Sequence, residues 1–221
     1  MEEEEIVMNS PYEYSIRLPK TIENGRKYPV IFALHGIGYN EQFLMEAVSE
    51  LEDEYIIIGV RGDLPYEQGY AYYYLKGYGN PERDQFDGAV EKLKSYLQYA
   101  FETYPIDQKR VYLIGFSQGA ILSMTLGLVL GDTVKGIVPM NGYIPEFVKA
   151  EYPLKSISTL SVFLCQGASD PIFPIHIGQA NYDYFSDKTE SVKYTIYPAD
   201  HTVTSNNKKD VAAWLRNELE K

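Results

Sequence analysis

The sequence predicts an α/β fold in which helices cover both faces of a mostly parallel central sheet. Two observations carry this prediction. Short runs of β-branched and apolar residues recur along the chain, and segments with helical spacing of apolar residues separate them. Runs without polar alternation are typical of strands buried on both faces, and their alternation with helices is typical of a parallel sheet.

The elements follow in chain order. Residues 12–19 alternate polar and apolar side chains, which predicts an antiparallel edge strand with one solvent-facing side. The buried strands are predicted at residues 28–36, 55–62, 110–117, 134–142, 160–167 and 191–198. The helices are predicted at residues 41–52, 81–103, 118–130, 175–185 and 205–220. In the second helix an apolar stripe at three- and four-residue steps should face the sheet; it consists of Leu93, Leu97, Ala100 and Phe101.

The chain contains no internal repeat and no Gly/Ser- or Pro-rich linker, so we expect a single domain over residues 1–221. The segment from Tyr143 to Ser158 is too short for a large helical cap domain. In a parallel sheet covered by helices, ligands bind at the carboxyl ends of the strands, and that edge is where a site should lie.

Composition argues against several classes of function. A net charge of −11 leaves no basic stripe for phosphate backbones, so nucleic acid is not an expected partner. No apolar stretch reaches the roughly 18 residues of a membrane span, so stable membrane insertion is not expected. Met1 is followed by four glutamates, unlike a secretory signal, and Cys165 is the one cysteine of the chain. These features predict a cytoplasmic protein.

A Gly-x-Ser-x-Gly motif surrounds Ser117, between a predicted strand and a predicted helix. In such a strand-turn-helix the glycines allow close approach of the two elements, and the serine hydroxyl lies at a helix N-terminus that favours negative charge. Ser117 is therefore a candidate nucleophile. The alternative is a tight turn with a helix-capping serine.

A serine nucleophile needs a base and an orienting acid. In one common chain order the acid follows the serine and the histidine comes last. That order favours His201, after the last predicted strand, over His176, which should face along a helix. His35 precedes the serine and is expected to hold its loop by hydrogen bonds.

Asp170 follows the strand at 160–167 and lies between Ser117 and His201 in sequence, so it is the candidate acid. An Asp-Pro turn without catalytic function is the alternative. Asp200 is the rival acid, but a residue adjacent to the histidine in sequence rarely places its carboxylate against that ring. Backbone N–H groups of Ile37 and Gln118 are the candidate oxyanion donors, since one lies in a glycine-containing loop after a strand and the other follows the nucleophile.

Five segments in chain order carry a family resemblance: LHGIG (34–38), GFSQGA (115–120), MNGYIP (140–145), GASDPIFP (167–174) and YPADH (197–201). They resemble the phospholipase/carboxylesterase family of α/β-hydrolases, which includes bacterial carboxylesterases and acyl-protein thioesterases. The resemblance implies an α/β-hydrolase fold without a large cap domain, a triad of Ser117, Asp170 and His201, and oxyanion donors at Ile37 and Gln118.

The sequence departs from that family after residue 61, where relatives tend to have a Gly-rich loop with a tryptophan. Here tyrosines cluster in YEQGYAYYYLKGY, residues 66–78. Tyr72, Tyr73 and Tyr74 could form an aromatic wall for an acyl or aryl group, or the loop could pack on its own side chains. Cys165 is expected to be a buried strand residue.

The sequence thus predicts a serine carboxylesterase that needs no metal or cofactor and acts on small-molecule esters of short to medium acyl or aryl acids. An acyl-thioesterase or lysophospholipase with the same triad is one alternative. A non-catalytic binding module on the same fold is another. A homodimer is left open.

Overall fold

The computed structural model describes residues 10–77 and 79–221. Its strands are β1 (Tyr14–Arg17), β2 (Tyr28–Leu34), β3 (Ile56–Val60), β4 (Leu64–Tyr66), β5 (Gly69–Ala71), β6 (Leu75–Gly77), β7 (Asn80–Pro81), β8 (Ile106–Phe116), β9 (Gly136–Met140), β10 (Ser161–Gly167) and β11 (Val192–Tyr197). Its α-helices are α1 (Gln42–Ala47), α2 (Arg83–Thr103), α3 (Gln118–Leu130), α4 (Glu146–Glu151), α5 (Ile175–Ser186) and α6 (Ser205–Leu219).

Seven strands form the central sheet, in the order β1-β3-β2-β8-β9-β10-β11. Every neighbouring pair from β3 to β11 is parallel, and β1 pairs antiparallel with β3. The predicted mostly parallel sheet and its antiparallel edge strand are therefore confirmed. Strands β2, β3, β9 and β10 are buried along their whole length, because helices cover both of their faces.

Two apolar clusters lie on opposite faces of the sheet. Helices α2, α3 and α5 contribute to one, which includes the predicted stripe of Leu93, Leu97, Ala100 and Phe101. Helices α1 and α6 contribute to the other, with Trp214 against Tyr112. Because both faces are covered, the exposed edge at the strand ends is where side chains can meet a ligand.

Two features differ from the sequence-based prediction. The helix predicted at 41–52 ends at Ala47 and continues as a 3-10 turn at Ser49–Leu51. The tyrosine-rich segment forms two small antiparallel hairpins, β4-β5 and β6-β7, instead of a loop without strands. As predicted, no large cap covers the site among the described residues, and residues 143–158 contain the six-residue helix α4. Met1 and the four glutamates, on which the prediction of a cytoplasmic protein rests, lie outside the described residues, as does Tyr78.

Candidate active site

Ser117 lies in the turn between β8 and α3, with a positive φ of 53°. Non-glycine residues rarely adopt this conformation, so the turn is strained. The flanking glycines have a steric reason: a Cβ on Gly119 would lie 1.9 Å from the Leu34 carbonyl oxygen, and one on Gly115 would lie 2.1 Å from the Gly119 oxygen. The packing of strand against helix therefore requires the Gly-x-Ser-x-Gly pattern.

His201 and Asp170 meet Ser117 at the carboxyl ends of their strands. The Nε2 atom of His201 lies 2.9 Å from Ser117 Oγ, and its Nδ1 atom lies 2.8 Å from Asp170 Oδ2. Aromatic rings of Phe116 and Phe173 contact the imidazole, with centroid separations of 4.9 and 5.4 Å. The structure thus brings together the three residues that the sequence selects.

Asp170 is buried and accepts hydrogen bonds at both oxygens. Backbone N–H groups of Ile172 and Phe173 donate to Oδ1, at 2.8 and 2.9 Å. At Oδ2 the carboxylate accepts from Asn141 Nδ2, at 2.5 Å, as well as from His201. Burial raises the pKa of this carboxyl, but the hydrogen bonds from His201, Phe173 and Asn141 outweigh burial and lower its pKa below the usual value. Asp170 is therefore ionised at neutral pH.

The two other histidines lie elsewhere. His176 is exposed on α5. His35 is buried, and its Nε2 accepts from the Gly62 N–H at 2.9 Å while Nδ1 contacts the Gly36 carbonyl at 2.7 Å. Burial lowers the pKa of His35 to about 4, so its ring is neutral and joins two loops. Asp200 is exposed, and its backbone carbonyl, 3.3 Å from Asn141 Nδ2, is what reaches this region.

The backbone N–H groups of Ile37 and Gln118 lie in the two segments that flank Ser117. A Cβ on Gly36 would lie 3.3 Å from Ser117 Cβ, which shows how closely the first loop approaches the serine. Over residues 10–77 and 79–221, neither N–H has a backbone carbonyl as acceptor, whereas the neighbouring Gly38 N–H donates to Tyr70. Both donors are therefore available to a ligand atom beside the serine.

A cavity of about 350 Å³ opens beside Ser117 and His201. Its lining is mostly aliphatic and aromatic, and among the described residues it includes no carboxylate, ammonium or guanidinium group. Besides Ser117, Gln118 and His201, the lining residues are Ile37, Tyr66, Tyr73, Leu75, Gly77, Gly79, Ile121, Tyr143, Ile172 and Phe173. Such a surface suits an uncharged apolar group of modest size.

Of the three tyrosines proposed from the sequence, Tyr73 is the one that lines this cavity. Tyr72 is a core residue, because its ring stacks on His35 and its hydroxyl donates to the Val60 carbonyl at 2.7 Å. Tyr74 lies outside the cavity lining and donates from its hydroxyl to the Pro65 carbonyl at 2.8 Å.

The buried side chain of Gln118 joins the tyrosine-rich segment to the serine turn. Its Oε1 accepts from the Tyr72 N–H and its Nε2 donates to the Tyr73 carbonyl, both at 2.7 Å. The residue that supplies a candidate oxyanion donor through its backbone therefore fixes Tyr73 through its side chain.

Comparison with known proteins places the chain in a family. A family model described as phospholipase/carboxylesterase matches residues 19–219. The chain belongs to this family. A Bacillus subtilis protein named as a hydrolase, MhqD, is 26% identical over 196 residues, which cover 88% of this chain and 96% of the relative. Acyl-protein thioesterase 1 of Debaryomyces hansenii is 27% identical over 153 residues, 65% of this chain and 65% of the thioesterase, so the match spans less than two thirds of that relative.

Similar solved structures confirm the α/β-hydrolase fold. The Bacillus cereus carboxylesterase superposes with a TM-score of 0.81 at 20% identity, over 95% of this chain and 96% of that chain. A carboxylesterase from Mesorhizobium loti gives 0.80 at 17% identity, over 95% and 97% of the two chains. The chain is thus a member of a hydrolase family of carboxylesterases and acyl-protein thioesterases.

Several site residues do not follow from the sequence analysis. Asn141 lies in the segment MNGYIP, where the Asn-Gly pair after a strand is a signal for a left-handed turn but not for contact with Asp170. Tyr143, Ile172 and Phe173 line the cavity without any local pattern that marks them. Cys165 lies buried in β10, where burial raises the pKa of its thiol to about 12, so it is not a candidate nucleophile.

Among the described residues, no helix is long and apolar enough to cross a bilayer. In the same part of the chain, no group of three or more His, Cys, Asp or Glu side chains could hold a metal ion.

Proposed function

We propose that this protein is a serine carboxylesterase that hydrolyses carboxylic esters of short to medium acyl or aryl acids through an acyl-enzyme. The observation that carries the proposal is the continuous hydrogen-bond chain from Ser117 through His201 to Asp170, beside an apolar cavity. Family membership agrees with an ester hydrolase. We propose in addition that the chain is one cytoplasmic domain.

In the first half-reaction the Ser117 hydroxyl oxygen attacks the ester carbonyl carbon while His201 Nε2 takes the hydroxyl proton. Negative charge develops on the carbonyl oxygen, and the N–H groups of Ile37 and Gln118 are the donors that would stabilise it. Asp170 accepts from His201 Nδ1 and stabilises the imidazolium. The carbon–oxygen ester bond then breaks, and His201 gives its proton to the departing alcohol.

In the second half-reaction His201 takes a proton from water, and the resulting hydroxide oxygen attacks the acyl carbon. The bond to Ser117 Oγ breaks, the serine regains its proton, and the carboxylic acid leaves.

The cavity sets the expected acyl group. Its volume of about 350 Å³ lies near the lower end for ligand sites, and its lining is apolar. Tyr73, Tyr143 and Phe173 offer ring faces to an aryl or short alkyl group.

Activity against 4-nitrophenyl acetate, butyrate and octanoate, with S117A as the test variant, examines the proposal. We expect S117A to lose nearly all turnover and to stop reacting with a fluorophosphonate probe. S123A is the matched control, because Ser123 is a buried serine of helix α3, which follows Ser117, and its hydroxyl donates a hydrogen bond to the Ala120 carbonyl. Substantial turnover by S117A would overturn the mechanism.

An acyl-thioesterase is the second candidate, since curated relatives carry that name. Acyl-CoA and acyl-peptide thioesters assayed beside the oxygen esters decide between the two. A strong preference for long-chain thioesters would favour the thioesterase. Failure of the probe to label the wild-type protein would favour the non-catalytic binding module.

A further inference from the structure

We propose that Asn141 is a positioning residue for ester hydrolysis, whose side-chain amide holds the Asp170 carboxylate in the orientation that His201 requires. The inference rests on the proposed function, because it assigns a task to Asp170. It is carried by the contact between Asn141 Nδ2 and Asp170 Oδ2, the same oxygen that receives His201 Nδ1.

The backbone at Asn141 is built for this placement. The residue directly follows β9, is 1% exposed and has a φ of 53°. Glycine adopts this left-handed conformation most readily, with Asn and Asp next, so the amide side chain is retained at a position that glycine would suit. The Asn141 N–H donates to the Cys165 carbonyl at 2.9 Å, which ties the turn to β10.

The amide makes two contacts, both within the catalytic edge of the sheet. Nδ2 lies 2.5 Å from Asp170 Oδ2 and 3.3 Å from the Asp200 backbone carbonyl, which immediately precedes His201. One side chain therefore contacts the loop of the acid and the loop of the base. An amide that served packing alone would not need to reach both.

The contact from Asn141 holds an oxygen of Asp170 that the loop of Asp170 itself does not hold. Backbone N–H groups of Ile172 and Phe173 hold Oδ1, and they come from the same loop as Asp170. At Oδ2 the donors come from other loops, namely Asn141 after β9 and His201 after β11. Among the described residues His201 is the titratable group that contacts the carboxylate, and no Lys or Arg pairs with it. Removal of the amide thus leaves Oδ2 with the imidazole alone.

One consequence follows for catalysis. Without the amide the carboxylate is less restrained about its own side-chain torsion, so the imidazole loses a fixed partner and kcat falls while KM changes little.

The experiment uses N141G and N141D in the full-length protein. Glycine and aspartate both tolerate the left-handed backbone. Glycine removes the side-chain amide, and aspartate replaces the Nδ2 donor with a carboxylate oxygen in a side chain of the same shape. The matched control is N181D, because Asn181 is another buried asparagine whose Nδ2 donates to the Gly142 carbonyl at 2.8 Å without contact to Asp170. Thermal unfolding of each variant sets an assay temperature at which all are folded.

We expect kcat for 4-nitrophenyl butyrate to fall about 10- to 100-fold in N141G and N141D, as for loss of a hydrogen bond to a charged group. N181D should lower Tm and keep kcat within about twofold of wild type. In a D170A background, followed at high enzyme concentration with a fluorogenic acetate, N141G should cost less than about twofold, because Asn141 acts through Asp170.

Wild-type kcat in N141G and N141D would overturn the proposal. So would an equal loss in the D170A background, or unfolding of both variants under conditions where N181D is folded, since either result indicates a structural task alone. Failure of the proposed function looks different: the wild-type protein and S117A would then turn over esters at the same rate.

Discussion

The edge of the sheet that carries Ser117, Asp170 and His201 is more buried than the tyrosine-rich segment with its hairpins β4-β5 and β6-β7. At the edge, Asp170 is buried and has four hydrogen-bond donors, and Ser117 sits in a turn where glycines cannot be replaced without a clash. In the segment, the two hairpins have two or three residues per strand; all three residues of β6 and two of β4 are exposed, whereas β5 has no exposed residue. Under the proposed function, the buried edge holds the reacting groups, while the segment supplies Tyr73 and Leu75 to the cavity lining.

The largest expected effect lies in the edge. D170N should lower kcat about ten-thousand-fold, because a neutral amide cannot stabilise the imidazolium or keep its tautomer. Steady-state and burst kinetics with 4-nitrophenyl acetate measure it. D200N is the control, since the Asp200 side chain is exposed and not bonded to His201. Equal losses in D170N and D200N would contradict the assignment of the acid.

His35 connects the loop after β2 to Gly62, which precedes the tyrosine-rich segment. Its replacement tests how much this connection contributes to the free energy of unfolding. Its pKa of about 4 in the folded state is below the value of about 6.5 for an unfolded histidine. Between these values the unfolded state binds more protons, so the free energy of unfolding falls as the pH falls from about 6.5 to 4, by about 3 kcal/mol.

Urea unfolding of wild type and H35Q at pH 7 and pH 4.5 checks this. H35Q keeps an acceptor for the Gly62 N–H and does not titrate, so its stability should depend less on pH. H176Q, at an exposed position, should behave as wild type. If wild type and H35Q lose the same free energy in acid, the His35 explanation is wrong.

Gln118 is the direct link from the edge to the tyrosine-rich segment. Q118M keeps the length of the side chain but leaves the buried Tyr72 N–H and Tyr73 carbonyl without their partner, so we expect kcat/KM for butyrate to fall about tenfold. Q85M is the matched control, because Gln85 Oε1 accepts from the Tyr74 N–H on the outer side of the same segment. A larger loss in Q85M than in Q118M would show that the serine turn does not position this segment.

The smallest effect is expected at the rim of the cavity. Leu75 is 43% exposed and lines the cavity, so L75A should lower the ratio of kcat/KM for octanoate over acetate about three- to tenfold through lost apolar contact. I196A removes an equally exposed aliphatic side chain, 46% exposed, away from the cavity and should leave that ratio unchanged. An unchanged ratio in L75A would mean that the hairpin does not touch the acyl chain.

The sequence by itself determined the α/β class, the order of strands and helices along the chain and the choice of Ser117, Asp170 and His201 for one edge of the sheet. Each of these follows from local rules: apolar periodicity marks buried elements, glycine spacing marks the tight turn, and parallel strands place their carboxyl ends together. The same rules do not predict the hairpins β4-β5 and β6-β7, because strands of two or three residues are too short to show a period of polar and apolar residues.

Only the tertiary structure decided which tyrosine faces the cavity and what holds the acid. Tyr72, Tyr73 and Tyr74 are consecutive, yet each has a different hydrogen-bond partner. The Tyr72 hydroxyl donates to the Val60 carbonyl, and the Tyr74 hydroxyl donates to the Pro65 carbonyl. The Tyr73 carbonyl accepts from the side chain of Gln118. Likewise Asn141 reaches Asp170 across 29 positions because β9 and β10 are neighbours in the sheet. Contacts between loops depend on strand order and register, and local sequence patterns do not contain that information.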